Sequence, residues 1–426
     1  MATFYIDPTG ATNGVGSEAD PFNAWGSVTW TAGNTYLQKS GTTHSGTITV
    51  GASGTAGSRI TIGFYGSGAM PIVQGAAAEH GINLGTRAYI NVYGMRAIGG
   101  SNTTRNGING LATDATTNHY IEISGCMAES PTSVSGTGIV LRGKGDQIRC
   151  TEVANCVLDG MFLTVSDCTV DACYVHDFDT AHGGDGDGIQ FAGTHAHGTV
   201  VVRRTRVIGH TTSPVKQCVI TAAGTGTFRI EGGEFYGMVT GLSIGIAGSV
   251  IKGAKVWGGT QRGVTCAGAN ISVNSCLIYS TPRGVSLDTV TGVVIDNNTI
   301  VASEEGITAN SGAASYTGRN NWIDAPMVHT LSASASATLS SNRYASGSEF
   351  QISSTTYDLA GWKTASGTDA NAAEVAPMLS DGYAPLSGSP LLAAGAHLGY
   401  TRDITKRQRP NPPSIGAYDA ATLRAQ

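Results

Sequence analysis

Charge is what this sequence has least of. Asp, Glu, Lys and Arg make up 13% of 426 residues, about half the usual share. Only seven residues are Lys, no run of Lys and Arg exceeds two, and the net charge is −5. A duplex nucleic-acid binder needs a basic stripe, so that class is excluded. No apolar run reaches the roughly 18 residues of a membrane helix, so no membrane insertion is expected. The opening MATFYIDPTGATNG lacks the basic and apolar segments of a secretory signal. None of the eight cysteines forms a CxxC pair, and single scattered cysteines read as buried thiols. Helix formers are sparse and no 3.6-residue period recurs.

What is abundant is Gly, 60 residues, with Thr, Ser, Val and Ile, a mixture that favours an all-β fold. The chain also repeats itself. Gly-plus-apolar pairs stand at Gly138-Ile139, Gly160-Met161, Gly188-Ile189, Gly241-Leu242, Gly263-Val264, Gly284-Val285 and Gly306-Ile307, with Cys218-Val219 in the missing slot. A second series runs Ile148, Val170, Val202, Ile230, Ile251, Val273 and Ile295, each followed five residues on by Val153, Val175, Val207, Phe235, Val256, Ile278 and Ile300. Both advance by about 22 residues with the same two long exceptions, and such a period of short β-runs is one coil of a β-solenoid. The strands must turn at Asn274, Asn297, Asn298 and Gly253, residue types that tolerate left-handed backbone. The reading is an N-terminal cap over 1–60, a parallel β-helix over 61–325 with inserted loops near 176–217, and a C-terminal tail over 326–426 that packs on the solenoid.

The opening YIDPTGATNGVGSEADPF, the stretch AGNTYLQKSGTTHSGTITVGASGTAGSRITIGFYGSGAMPIVQG and the close SPLLAAGAHLGYTRDITKRQRPNPPSIGAYD resemble right-handed parallel β-helix proteins of the pectate-lyase superfamily. The resemblance implies that fold and a carbohydrate ligand. The superfamily holds pectate and alginate lyases, polygalacturonases, epimerases and bacteriophage tailspike depolymerases. It therefore implies a polysaccharide depolymerase that cleaves an acidic or bacterial-surface glycan by β-elimination or glycosidic hydrolysis, in a virion tail or outside the cell, with a homotrimer as the tailspike-like assembly. The other reading is a non-catalytic glycan-binding adhesin or structural tail protein.

In stacked coils, equivalent residues become vertical neighbours about 4.8 Å apart. The position before each Gly-apolar pair reads Thr137, Asp159, Asp187, Gln217, Thr240, Arg262, Arg283, Glu305. Asp159, Asp187 and the Lys216-Gln217 pair thus fall on consecutive coils, with Asp185 two residues before Asp187. The two long insertions lie here too, and insertions in solenoids often build the binding face. Paired carboxylates suit glycoside hydrolysis, with one pKa raised by the other's charge. In the lyases that the chain resembles, Lys or Arg takes the proton, often beside Ca²⁺. Lys216 would then be the base, Asp159, Asp185 and Asp187 the calcium ligands, and Arg204 or Arg206 the stabiliser of the developing enolate. His182 and His210 flank the cluster as acid or base candidates. The bland readings are turn residues for Asp185 and Asp187, a turn cap for Asp159, a solvated Lys216, and loop histidines, His195 and His197 included.

Two further groups are substrate-binding candidates. Tyr236, Trp257 and Tyr279 follow inward residues and should point outward as an apolar strip for sugar rings, or for the tail. Arg262 and Arg283 are adjacent cations that call for an anion, either Glu305 or an acidic polysaccharide.

Overall fold

A computed structural model describes residues 1–101, 105–131, 135–179, 186–209, 216–309 and 311–419. The chain forms two compact units, Met1–Ile220 and Thr221–Gln426.

In the first unit each coil from Thr35–Lys39 onward contributes three short strands to three parallel ladders. The coil through Thr169–Asp171 shows the plan. That strand pairs in parallel with Gln147–Arg149 and Ala196–Arg203. Ala172 then takes a left-handed conformation, with φ of 54°, and the chain turns into Tyr174–His176, which lies between Glu152–Cys156 and Arg206–Ile208. After the loop that follows, Ile189–Phe191 pairs with Met161–Ser166, which pairs with Ile139–Lys144. Side chains alternate across each strand. Ile148, Val170, Val153, Val175, Leu141 and Leu163 point inward and are fully buried.

The second unit follows the same plan. Its ladders run through Thr225–Glu231, Val250–Lys252, Ser272–Asn274 and Val293–Asp296, through Glu234–Tyr236 and Lys255–Trp257, and through Thr240–Ile244 and Arg262–Cys266. Leu277–Leu287 and Thr299–Ala309 each serve two ladders in one long strand. Gly253, Ser275 and Asn297 hold the left-handed corner, while Asn274 and Asn298 flank it. A short helix, Leu359–Ser366, buries Trp362. The tail then returns over the coils, where Leu391 and Ile415 pack on Trp322, and Ala417 and Tyr418 on Leu277.

The parallel pairing is longer than 61–325. It already joins Thr3–Ile6 to Thr35–Lys39, and it still joins Arg343–Tyr344 to Ala373–Glu374. The early coils were hidden because their register steps, Thr35 to Thr61 to Asn91 to Glu122, are 26, 30 and 31 residues. No disulfide joins the described cysteines; all are buried except Cys150. Among the described residues no helix is long and apolar enough to cross a membrane.

Candidate functional site

The corner before the third ladder builds the site, and its logic is a repeated hydrogen bond. Four corner residues use a side chain to accept the backbone N–H of the equivalent residue one coil on. His80 Nδ1 accepts from Asn106 at 3.0 Å and Asn106 Oδ1 from Thr137 at 3.2 Å. Asp159 Oδ1 accepts from Asp187 at 2.8 Å, and Asp187 Oδ1 from Gln217 at 3.0 Å. The column of Thr137, Asp159, Asp187 and Gln217 read from the repeat is therefore a physical stack. It also extends to His80 and Asn106, each of which precedes a Gly-Ile pair of its own.

An amide or an imidazole does this accepting job without charge. At Asp159 and Asp187 a carboxyl does it while only 3% and 4% exposed. A third buried carboxyl, Asp179, joins them. Its backbone is left-handed, with φ of 55°, its N–H donates to the Leu158 carbonyl, and its Cβ lies where a side chain on Gly186 would have to go. Burial, and then the charge of Asp179, pushes Asp159 up to about 7 despite the Asp187 N–H and the nearby Lys216 ammonium. Burial, and then the charge of Asp159, pushes Asp187 up to about 7. Near neutrality the cluster therefore holds both protonated and ionised carboxyls.

Asp159 lines an open groove of about 700 Å³ along the third ladder. Leu111, Val140, Leu158 and Phe162 give it an apolar lining, Asn109 and Gln190 add amides, and His80 and Arg105 also line it. Phe162 faces out because it alternates with the inward Met161 and Leu163. Asp179, His80, Arg105 and Phe162 were not singled out from sequence. Asp179 has no counterpart in the repeat, and the coils carrying His80 and Arg105 are off the 22-residue period.

Other expectations change. Lys216 comes close enough for its charge to act on both carboxyls, but it is exposed. The burial that would lower the pKa of a lysine base is therefore missing. Gln217 is half-buried, and its Oε1 finds no donor among the described residues. Arg204 belongs to a different corner, between the first and second ladders. Asp171 holds its guanidinium with contacts of 2.8 and 2.6 Å, so it is not brought to the carboxyls. Arg206 lies over the Tyr174 ring. His195 and His197 both meet the Val165 carbonyl. Asp185, His182 and His210 lie outside the described residues.

In the second unit the outward aromatics do align, but not as a flat strip. Side chains on neighbouring coils stand side by side, so their rings meet one another. Tyr236 and Trp257 are 5.3 Å apart, and Trp257 and Tyr279 stack at 5.7 Å and 7°. Tyr383 of the tail continues the column at 5.2 Å. Ring faces that a sugar would cover are thus engaged with each other. Arg262 and Arg283 are register neighbours, and their anions are internal: Glu305 sits 2.5 Å from Arg283, and Asp288 4.0 Å from Arg262.

The calcium expectation can be tested on the donors themselves. Asp159 and Asp187 each spend an oxygen on a backbone N–H, and among the described residues no three acidic, His or Cys side chains converge as a metal would require. The described residues therefore do not fit a calcium site.

These ladders and corners match a known architecture. A model of the right-handed β-helix region matches residues 187–344. The chain is a right-handed parallel β-helix. Solved structures share the fold along most of it. The complex of XylC with xylose superposes with a TM-score of 0.57 at 9% identity, covering 97% of this β-helix and 98% of that chain. The Dettilon tailspike protein gives 0.50 at 15% identity, covering 82% and 68%. The pectate lyase Pel9A gives 0.48 at 16%, covering 99% and 96%. No curated protein matches the β-helix in sequence.

Proposed function

We propose that this protein is a polysaccharide depolymerase that hydrolyses a glycosidic bond in the groove beside Asp159. The observation that carries the reading is the buried group Asp159, Asp179 and Asp187, with Asp159 on the groove wall. A carboxyl pushed up to about 7 keeps its proton long enough to pass it to a departing sugar oxygen. An ionised neighbour then takes a proton from the water that bonds to the anomeric carbon. Asp159 is the acid and Asp187 the partner; Asp179 keeps their charge from spreading to both at once. The apolar groove lining suits the hydrophobic face of a sugar ring, and Phe162 is its aromatic member. The setting we propose is extracellular, on a virion tail or in the medium, in keeping with the tailspike likeness.

Elimination is less well supported, because Lys216 is exposed and burial does not lower its pKa. The test is digestion of a glycan panel with analysis of the products. New reducing ends without the ultraviolet absorbance of a conjugated double bond are expected, and EDTA leaves the rate unchanged. Asp159→Asn lowers kcat by about 10²-fold or more, the usual worth of a general acid. Unsaturated products would replace hydrolysis with elimination; full activity in Asp159→Asn would move the site elsewhere.

A further inference from the structure

The first ladder of the same unit carries a second feature, on the outward side of the strands Ile60–Tyr65, Ile90–Tyr93 and Glu122–Ser124. Thr61, Asn91 and Glu122 are register neighbours in one outward column, and Tyr93 and Ser124 in the next. By alternation Gly63 shares that second column, and it is buried although it faces out. What covers it is the Tyr93 ring. A Cβ on Gly63 would run into Cζ and both Cε atoms of that ring. Such contact reaches across the ring and not along one edge, so Tyr93 lies face down on the coil before it. Phe64 packs in the opposite direction, because a Cβ on Gly94 would run into its Cδ1 and Cε1. Two glycines thus let two rings interlock on the sheet, 5.8 Å apart and tilted by 53°, with Phe64 37% exposed.

Tyr93 turns its other face outward, at the wall of a pocket of about 200 Å³ lined also by Thr61, Asn91, Glu122 and Ser124. This is the flat, fixed ring that the column of Tyr236, Trp257 and Tyr279 does not offer. Such a face suits the C–H side of a pyranose, and a ring held in place beforehand loses little freedom on binding. Asn91 gives its Oδ1 to Arg59 Nε at 2.6 Å, so what its amide brings to the pocket is the NH₂ donor. Glu122, one coil on, brings a carboxylate acceptor. A hydroxyl both donates and accepts, so neighbouring hydroxyls on one sugar edge match a donor beside an acceptor about 4.8 Å away. The carboxylate repels a uronate or a sulfate, which leaves a neutral sugar as the matching ligand.

We propose that Tyr93, Asn91 and Glu122 form a second glycan site, for a neutral pyranose unit, that holds a polysaccharide at the first ladder without cutting it. It shares no lining residue with the third-ladder groove, so it stands whether or not Asp159 hydrolyses a bond. Calorimetry on the full chain carrying Asp159→Asn, which keeps the ligand whole, tests it with cellohexaose, mannohexaose and β-1,4-galactohexaose. At least one of these binds. Added Tyr93→Ala and added Glu122→Ala each weaken it about tenfold, while Tyr93→Phe, which keeps the ring, stays within about threefold. Glu122→Ala leaves the melting temperature unchanged, so the test survives if Tyr93→Ala disturbs the sheet. Failure of every probe to bind, or affinity unchanged in either alanine variant, overturns the site. Sedimentation showing a dimer that Tyr93→Ala abolishes makes the face a contact between two copies and overturns it as well. Tyr93-dependent binding with no cleavage by the unaltered protein upholds this site and overturns the hydrolase reading. Asp159-dependent cleavage with no Tyr93-dependent binding does the reverse.

Discussion

At the scale of the residue, the carboxyls at the corner are costly where they are. Asn106 shows that an amide fills the same hydrogen-bonding position without charge. Asp187 does it with a group that burial and Asp159 push up to about 7. The native state then binds more protons than the unfolded chain between the ordinary Asp value of 3.8 and about 7. Stability is full below that window and falls as pH rises through it. Asp187→Asn keeps an oxygen for the Gln217 N–H and removes the charge. We predict that the wild-type melting temperature falls between pH 4 and pH 8, that the variant falls less, and that the variant is the more stable protein at pH 8 while losing turnover. Differential scanning calorimetry across that range decides it; a variant less stable at pH 8 would make the charge structural. The stacking of Asp159 on Asp187 was legible in the sequence because both precede a Gly-apolar pair. Asp179 was not, because it sits in a loop where no period operates. Nor was the binding of Arg204 to Asp171, since Arg204 stands at the left-handed corner between the first two ladders, which no apolar period marks.

At the scale of the element, the two series seen in the sequence prove to be one contact repeated. A Cβ on Gly160 would stand 2.3 Å from Val175 Cγ1 and 2.6 Å from the Gly188 carbonyl. On Gly284 it would stand 2.4 Å from Ile300 Cγ2 and 2.5 Å from the Gly306 carbonyl. The glycine is present so that the branched residue of the second ladder can pack beneath the start of the third, which is why both series share their long steps. Gly284→Ala is therefore expected to cost about 1–3 kcal/mol by overpacking. Adding Ile300→Ala does not restore stability, because the carbonyl stays in place and a cavity opens. Gly57, where a Cβ meets nothing within 4 Å, is the control, and Gly57→Ala leaves the denaturation midpoint unchanged. Urea titrations of the three variants check this. The aromatic column shows the limit of such reading. Alternation put Tyr236, Trp257 and Tyr279 outside correctly, but ring orientation depends on the distance between coils, which favours rings stacked on each other over rings laid flat.

At the scale of the whole molecule, the groove and the tail belong to different units. The residues from His80 to Gln217 lie in Met1–Ile220, and the tail packs on coils of Thr221–Gln426. The sequence lost the solenoid after residue 325 although the coils continue: Ile295 is followed in register by Gly318 and then Leu339, so the apolar series lapses where the fold does not. What fastens the tail is polar. Arg409 is 8% exposed, lies 3.1 Å from Asp419, and donates to the Gly416 and Ala417 carbonyls at 3.1 and 3.2 Å. Those carbonyls belong to the segment that covers Leu277, and the Ala417 N–H in turn reaches Thr299 Oγ1 at 3.0 Å. Removing one partner of a buried ion pair costs about 3–5 kcal/mol, because the other charge is left desolvated. Arg409→Ala is predicted to lower the unfolding temperature of the second unit and to raise protease sensitivity in the tail. Turnover measured well below that temperature stays at the wild-type rate, since the partners of Arg409 are Ser275 and residues of the tail, none of which lines the groove. Calorimetry paired with limited proteolysis and a rate measurement distinguishes the outcomes, and a variant that keeps its stability but loses turnover would mean that the tail, not the groove, carries the chemistry.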